Sequence, residues 1–329
     1  MAAFILRRLL LIIPMALLVV SVTWGLIRVA PGNFYSDERT LPPAIEENIK
    51  RKYGLDLPWY QQYFRMLGNV TCRTISADEP SASGVRYGLF GWQIKCFDFG
   101  SSLRFLDRTV NEVILQHLPY SATIGFFAYL LALVVGLGFG IVAALKQNSA
   151  WDYSSMTLAM LGLSVPNFVL GPLLVIVFSL WLYILPPARW GGFSNIILPV
   201  ITLSAIYMAY IARLTRAGML EVMRSDYIRT ARAKGLDEKT VLLKHGLRGG
   251  IIPVVSFTGP ALAGLLAGTV VVEKVFGIPG LGNIFITSVL NRDEPLTLGI
   301  VAFISILIML FNLIVDISYG FLDPRIRYE

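Results

Sequence analysis

The chain has 329 residues, of which 55% are hydrophobic and only 15% are charged, and its formal net charge is +7 at pH 7. Soluble domains carry about 25% charged and about 45–50% apolar residues. This composition therefore excludes an ordinary soluble enzyme, a disordered chain, a coiled coil and a disulfide-dense secreted module, and it favours a polytopic membrane protein.

Six stretches of the chain contain no charged residue and are long enough to cross a bilayer. A hydrocarbon core of about 30 Å needs about 20 apolar residues of helix. The stretches are 9–27, 119–145, 153–188, 190–212, 249–272 and 295–315. The third is too short for two spans and a turn, and it ends in a Pro-containing loop. The sequence thus predicts an all-α integral membrane protein with six transmembrane helices.

The first stretch raises the question of a cleaved leader. Arg7 and Arg8 precede an apolar run, which is the arrangement of a secretory signal peptide. The run is longer than the about 7–15 residues of such signals, and no small-x-small cleavage site is evident. We therefore expect a retained signal-anchor helix over residues 1–30.

Lys and Arg residues in the short loops predict the orientation. With both termini in the cytoplasm, fourteen of these residues lie in the inner segments and three in the short outer loops. The positive charge is then explained by topology, and a nucleic acid is not an expected partner. This orientation predicts an extracytoplasmic loop domain at 31–118, a core at 119–322 and a cytoplasmic tail at 323–329.

The external segment contains two helical patterns. Residues 42–53 begin with prolines and acids and end with bases, as suits a helix dipole. Residues 59–67 place an aromatic-rich set on one helical face, namely Tyr60, Tyr63, Phe64 and Leu67.

The two cysteines of the chain, Cys72 and Cys96, both lie in this segment. The residues between them are rich in Ser, Gly and Asp, and we interpret them as a loop insertion. An oxidising compartment favours a disulfide between the two. Two independent buried thiols are the alternative. A metal site is not expected, because two cysteines without a converging histidine supply too few ligands.

The cytoplasmic segment 213–248 has the most informative pattern. Met219, Met223, Tyr227 and Ala231 recur at every fourth position and predict one apolar helical face. A glycine then interrupts the pattern, and Asp237 is placed to cap a second short helix. Such a helical hairpin is either a solvated basic loop that sets topology or a docking surface for a cytoplasmic partner.

These residues resemble a known family. The segment 226–236 (DYIRTARAKGL), followed by 241–248 (VLLKHGLR), is similar to the cytoplasmic "EAA" loop of ABC-importer permeases, in the form found in B-type dipeptide and oligopeptide permease subunits. Arg229, Thr230 and Ala231 stand where the general pattern has Glu-Ala-Ala, and Gly249-Gly250 replaces the more usual Asn-Ala pair. Further similar segments are 4–10, 53–58, 98–102, 164–168, 272–282, 292–295 and 322–325.

The resemblance implies a type I importer permease fold, with five core helices and a first helix that packs on a partner. It implies a homologous second permease subunit, two ATP-binding subunits and an extracytoplasmic substrate-binding protein, in a bacterial cytoplasmic membrane. ATP and Mg would then be bound by the partner ATPases, and this chain would carry no cofactor, metal or catalytic residue. The sequence itself has no phosphate-binding Gly-rich loop.

The substrate class implied by the resemblance is peptides, with nickel chelates or sugars as alternatives. A stand-alone secondary transporter is an alternative of a different class, but it predicts inverted repeats and charges at the bilayer midplane. An intramembrane enzyme would need paired catalytic groups at one depth. Neither pattern is visible in the nearly charge-free spans.

We hypothesise that the helix around 226–234 inserts into a cleft of an ATPase subunit, and that a glycine lets the chain reverse after it. The candidate coupling residues are Asp226, Tyr227, Ile228, Arg229, Ala231, Arg232, Gly235 and His245.

Small residues and prolines in the spans predict helix packing and kinks. Two Gly-x-x-x-Gly pairs allow close helix approach, and a role in the substrate pathway is the alternative. Prolines predict a kink in the third span. These candidates are Gly136, Gly140, Gly264, Gly268, Pro166 and Pro172.

Two acidic residues in or near the spans are further candidates. Glu273, at the outer end of the fifth span, is expected to gate the pore, to contact the binding protein or to mark the interface. Asp316, near the inner end of the last span, is a functional candidate because intramembrane acids usually have a role, and an interfacial position is the alternative.

Overall fold

The computed structural model describes residues 2–29, 56–70, 72–75, 85–89, 92–96, 99–105, 108–187 and 189–322. The helices within these ranges are α1 Ala2–Val29, α2 Trp59–Val70, α3 Val110–Leu145, α4 Ala150–Ser164, α5 Asn167–Leu174, α6 Phe193–Met223, α7 Asp226–Ala233, α8 Glu238–Thr240, α9 Leu247–Gly250, α10 Ile252–Phe276, α11 Leu281–Leu290 and α12 Glu294–Leu322. Two π-helical segments, Val175–Trp181 and Val241–Gly246, and three strands, β1 Cys72–Ile75, β2 Val85–Leu89 and β3 Trp92–Cys96, complete the described elements.

Four of the helices in the described ranges are long and apolar enough to cross a membrane. They are α1, α3, α6 and α12. Two bent pairs add a span each if each pair is counted as one, namely α4 with α5 and its π-helical extension, and the two parts of α10. Each of the six apolar stretches corresponds to one of these spans, so the predicted helical membrane architecture is confirmed.

The prediction of a single kinked helix in the third stretch is wrong. Helix α4 ends at Ser164, and the following helix runs at 107° to it. Val165 has extended backbone angles, φ −108° and ψ 119°, and Pro166 follows with φ −59° and ψ 143°. The residue before a proline is disfavoured in the α region, so the chain leaves the helix here. Pro172 lies inside α5.

Helix α3 begins at Val110, well before the predicted start at residue 119. Its start is a capping box. The Thr109 hydroxyl accepts a hydrogen bond from the Glu112 N–H at 3.3 Å, and the Glu112 carboxylate accepts one from the Thr109 N–H at 3.2 Å. The two residues thus satisfy donors at the helix start that would otherwise lack partners.

The external segment is only partly helical. The helix predicted over 59–67 is confirmed as α2. The helix predicted over 42–53 lies outside the described residues. The interpretation of the region between the cysteines as a loop is wrong, because its described part forms an antiparallel sheet with strand order β1-β3-β2. The signal for it was the alternation of apolar residues along β2 and β3.

The sheet places the two cysteines opposite each other. Cys72 in β1 pairs with Cys96 in β3, and directly opposed residues of antiparallel strands have Cα atoms about 4.5–5.5 Å apart. This separation falls within the range that a disulfide spans, about 4.4–6.8 Å. The cysteine side chains lie outside the described part of the chain, so the disulfide stays a prediction.

We expect both thiols to resist alkylation in the oxidised protein and to react together after reduction. The expected result is no maleimide mass shift without reductant and two added maleimides with it, measured by mass spectrometry of the denatured chain. The single variants Cys72→Ser and Cys96→Ser serve as controls, since each should leave one reactive thiol without reductant. Alkylation of both wild-type cysteines before reduction would contradict the pairing.

The chain divides into two compact units, each with its own core. One unit comprises Leu6–Pro119 with Ile284–Leu307, and the other comprises Met1–Ile5, Tyr120–Asn283 and Ile308–Glu329. The core of the first contains Val20, Trp24, Leu298 and Ala302. The largest cluster of the second contains Ile124, Leu203, Leu265 and Phe276 among its buried side chains.

Candidate functional site

The predicted helical face between residues 219 and 231 is divided between two helices. Helix α6 ends at Met223, and Ser225 has extended backbone angles, φ −72° and ψ 156°, before α7 begins at Asp226. The Ser225 hydroxyl donates a hydrogen bond to the Val222 carbonyl at 2.6 Å. The prediction of one continuous helix is therefore wrong, because the chain leaves the helical conformation at Ser225, whose side chain makes no capping hydrogen bond to α7.

The apolar side of α7 packs on the chain's own residues. Ile228 is fully buried and Ala231 nearly so, in a cluster with the buried Val241 and the partly buried Val222. In this conformation these side chains hold α7 against the following segment. They are not exposed to a partner.

The other side of α7 is open. Asp226 and Arg229 are highly exposed and form an ion pair three residues apart, and Tyr227 is 49% exposed. An exposed pair of this kind contributes little to stability, roughly 0–1 kcal/mol. The exposed residues are therefore available for contacts elsewhere.

Gly235 ends α7 with a Schellman motif. Its φ is +78°, in the left-handed region. The Gly235 N–H donates to the Arg232 carbonyl at 2.9 Å, and the Leu236 N–H donates to the Ala231 carbonyl at 3.4 Å. A Cβ placed at Gly235 would meet no atom within 4 Å. Glycine is thus required by the backbone conformation, and the space around it is free.

Two polar contacts fix the segment that follows this turn. Arg232 donates two hydrogen bonds to the Glu238 carboxylate, at 2.7 and 3.2 Å, and this pairing raises the pKa of Arg232. Asp237 caps α8, as predicted, by accepting the Thr240 N–H at 3.2 Å. Hydrogen bonds donated by Thr240 hold the pKa of the Asp237 carboxyl below its usual value.

The Gly249-Gly250 pair fits the close packing of this region. A Cβ at Gly250 would lie 2.4 Å from the Met219 sulfur, and one at Gly249 would lie 2.9 Å from the Tyr227 hydroxyl oxygen. Met219 is fully buried. His245, the last predicted coupling residue, is half-buried in the π-helical segment Val241–Gly246.

The glycines of α3 lie against α6. A Cβ at Gly136 would lie 2.9 Å from the Ile211 side chain, and one at Gly140 would lie 2.4 Å from the Thr215 Cβ. The geometry therefore favours helix packing over a role in the substrate pathway for this pair. Gly264 lies against Tyr207, because a Cβ added at Gly264 would lie 2.6 Å from the Tyr207 hydroxyl oxygen. The surroundings of Gly268 lie outside the description.

Glu273 is fully buried at the end of α10 and is held by its own chain. Its carboxylate accepts hydrogen bonds from the Ser121 hydroxyl at 2.5 Å and from the Asn283 N–H at 2.9 Å. The Ser121 hydroxyl accepts in turn from the Leu281 N–H at 2.8 Å. The carboxylate thus satisfies N–H groups at the start of α11, a short helix that the sequence did not predict. Asp316 is half-buried on α12.

Sequence reasoning missed a buried ion pair at the start of α4. Asp152 is 2% exposed and receives two hydrogen bonds from Arg216 of α6, both at 2.8 Å. It also accepts the Asn148 N–H at 3.0 Å. Such bidentate pairs are among the stronger polar contacts in proteins. The partners are far apart in sequence, so the only signal was an acid close to the end of a span.

A second missed contact joins two of the segments that carry the family resemblance. Asp293 is fully buried, accepts a hydrogen bond from the Ser102 hydroxyl, and accepts the Arg104 N–H at 3.2 Å. Its other oxygen accepts the Leu296 N–H at 3.2 Å and so caps α12. The segments around 98–102 and 292–295 therefore meet at one buried carboxylate.

Comparison with known proteins identifies relatives over the whole chain. The family model described as "Binding-protein-dependent transport system inner membrane component" matches residues 136–328. The chain is 41% identical, over 330 residues and 100% of both sequences, to the oligopeptide transport system permease protein OppB of Haemophilus influenzae and to that of Escherichia coli. It is 36% identical to the dipeptide transport system permease protein DppB of Bacillus subtilis, covering 99% of this chain and 98% of that protein.

A solved structure shares the fold. The inward-facing MetNI methionine ABC transporter aligns with a TM-score of 0.56 at 15% identity, covering 65% of this chain and 97% of the matched chain. At this identity the likeness concerns the fold alone. The predicted importer permease fold is confirmed by this match and by the family model.

Proposed function

Because this chain belongs to the family of binding-protein-dependent transport system inner membrane components, we propose that it is the permease subunit of an ATP-driven peptide importer. It forms half of the transmembrane pathway beside a homologous second permease. Two ATP-binding subunits hydrolyse ATP, and a substrate-binding protein delivers the peptide. The single observation that carries this proposal is the full-length likeness to oligopeptide permeases.

The region from α7 to α9 is the proposed contact with an ATP-binding subunit. Its exposed side offers Asp226, Tyr227 and Arg229, whereas Ile228 and Ala231 anchor the helix from behind. Movement of the ATP-binding subunit would therefore be transmitted through a helix whose buried side packs on Val222 of α6 and Val241 of the π-helical segment. The excess of Lys and Arg in this segment supports a cytoplasmic location, with both termini on the same side.

Gentle purification of the tagged chain from native bacterial membranes tests the assembly. We expect two ATP-binding subunits and one homologous permease to copurify with it. In proteoliposomes, the assembly supplied with its binding protein should accumulate labelled di- or oligopeptides only when ATP is present. Uptake of a nickel chelate or a sugar in place of peptides would retain the importer and change its substrate. A chain that purifies alone and transports without ATP would refute the proposal.

We expect Gly235→Ala to reduce ATP-dependent transport almost as much as Gly235→Leu. The space around Gly235 is free, so the cost arises from φ +78° rather than from a clash. A left-handed conformation costs an L-residue about 1–2 kcal/mol, and asparagine tolerates it better. Gly235→Asn should therefore retain more activity than either variant. The measurements are peptide uptake and the amount of ATP-binding subunit that copurifies, at equal expression.

Gly138→Ala, at a glycine of α3 that has free space around it and no left-handed φ, is the matched control outside this contact and should transport normally. If activity fell steadily with side-chain size, with Gly235→Leu far below Gly235→Ala, a partner would fill the space beside Gly235 and backbone conformation would not be the cause. Wild-type transport by all three Gly235 variants would remove Gly235 from the coupling site.

A further inference from the structure

Helix α2 presents aromatic side chains to its surroundings. Trp59 is 68% exposed, Tyr60 is 47% exposed and Phe64 is 67% exposed. On a neighbouring side of the helix, Tyr63 and Met66 pack against the core formed by α1 and α12. Exposed aromatic patches on proteins commonly mark interaction sites. The question is what covers this one.

The spacing of residues divides α2 into three sides. Tyr60 and Phe64 are four residues apart and share an apolar edge. The exposed Gln61 and Arg65 are likewise four apart and share a polar edge. A helix with one side on protein, one apolar edge and one polar edge is suited to the boundary between hydrocarbon and water.

The contacts of α2 with α1 place it at such a boundary. Arg28 of α1 lies 3.6 Å from Glu294 of α12 and donates a hydrogen bond to the side-chain oxygen of Gln62. The Tyr63 hydroxyl reaches further along α1 and lies 2.8 Å from the Ser21 hydroxyl oxygen. At a rise of 1.5 Å per residue, Ser21 is about 10 Å from Arg28 along the helix.

The Tyr63 ring also packs on Trp24, with 5.2 Å between ring centroids. The Tyr63 side chain of α2 therefore reaches the apolar part of a membrane span, on the hydrocarbon side of the charged pair, while Gln62 contacts Arg28 itself. Interfacial helices bury their apolar side about 5–10 Å into the boundary between headgroups and acyl chains. Between Ser21 and Arg28, α1 itself exposes the apolar side chains of Val22 and Leu26.

We infer that α2 is an interfacial helix that inserts Tyr60 and Phe64, with Trp59 beside them, among the phospholipids of the leaflet at the Arg28 end of α1. The Gln61 and Arg65 edge faces headgroups and water. Aromatic side chains favour this depth because their rings are apolar while Tyr and Trp retain a polar group. The contact would fix the external segment relative to the bilayer, independently of any protein partner.

Tryptophan quenching in nanodiscs tests the inference on the full protein, purified with whatever subunits accompany it. Phe64→Trp and Tyr60→Trp place a reporter on the apolar edge, and Gln61→Trp and Arg65→Trp are matched controls on the polar edge. Each spectrum is compared with that of the wild type, which contains six tryptophans. The quenchers are iodide in the buffer and phosphatidylcholine brominated near the headgroup end of its acyl chains.

The added emission of Phe64→Trp and Tyr60→Trp should be lost in brominated lipid, be resistant to iodide and lie at shorter wavelength than that of the controls. The controls should show the reverse. Iodide quenching of the apolar-edge reporters equal to that of the controls would place this edge in water and overturn the inference. Reporters insensitive to both quenchers would be covered by protein, such as the second permease, and would also overturn it. Two reporter positions guard against one variant failing to assemble.

Discussion

Replacing Gly140 by valine is expected to push α3 away from α6. The amount of correctly folded protein in the membrane should then fall to a small fraction of the wild-type amount. A Cβ at this position would lie 2.4 Å from the Thr215 Cβ and 2.6 Å from the Ala212 carbonyl oxygen. A backbone carbonyl within a helix cannot move aside as a flexible side chain can. Overpacking a core typically costs about 1–3 kcal/mol, and we expect about 3 kcal/mol or more here.

Gly138 is the matched control on the same helix, since a Cβ there meets no atom within 4 Å. Gly138→Val should leave the amount of folded protein and its thermal midpoint close to those of the wild type. Gly136→Val should lie between the two, because its Cβ would lie 2.9 Å from the Ile211 side chain and 3.0 Å from the Met208 carbonyl oxygen, farther than the contacts at Gly140. The measurement is the thermal midpoint of monodisperse protein by size-exclusion chromatography. Equal damage from Gly138→Val and Gly140→Val would show that the helix is sensitive to valine itself, not to this contact.

The spans could be predicted from sequence because membrane insertion is decided locally. A stretch without charges and about 20 residues long satisfies its backbone hydrogen bonds internally and needs no knowledge of its neighbours. The spacing of Gly136 and Gly140 predicted close packing for the same reason, since four residues bring both to one side of α3. Which helix they contact, α6, was not contained in that spacing.

Local signals were also present where the predictions were wrong. Ser225 and Asp226 are good residues for the start of a helix, but the regular spacing of Met219, Met223, Tyr227 and Ala231 led to one long helix. The spacing of four residues continues across the break between the end of the long helix α6 and the short helix α7. Likewise Pro166 predicted a kink, whereas the extended conformation of Val165 produced a sharp turn of 107°.

The buried carboxylates could not be predicted, because their partners are remote in sequence. Asp152 meets Arg216, and Asp293 meets Ser102. The sequence around each of these residues does not specify its partner. It also does not distinguish an acid that will be buried from one that will be exposed. General physical chemistry adds only that burying an acid without hydrogen bonds is costly, so each buried acid must have partners.

Glu273 shows how such a carboxylate can be assigned a role. If it serves to hold the α10–α11 turn, then Glu273→Ala leaves the Ser121 hydroxyl and N–H groups at the start of α11 without an acceptor. Each unsatisfied buried group costs about 1–3 kcal/mol. Glu273→Gln should lose less stability than Glu273→Ala, because the amide oxygen can still accept hydrogen bonds on one side. On the other side its NH2 group faces hydrogen-bond donors and cannot accept from them. We expect the thermal midpoint to fall in the order wild type, Gln, Ala.

Gly280→Ala tests the same contact with the carboxylate retained. A Cβ at Gly280 would lie 2.3 Å from the Glu273 Cδ, so the side chain must move away from its donors. Lys274→Gln, at the exposed neighbouring residue, is the control and should leave stability unchanged. If Glu273 is a gate, Glu273→Gln will change transport per folded molecule at an unchanged thermal midpoint. If it fixes the turn, transport will fall only in proportion to the folded fraction, and Gly280→Ala will behave in the same way although its carboxylate is intact.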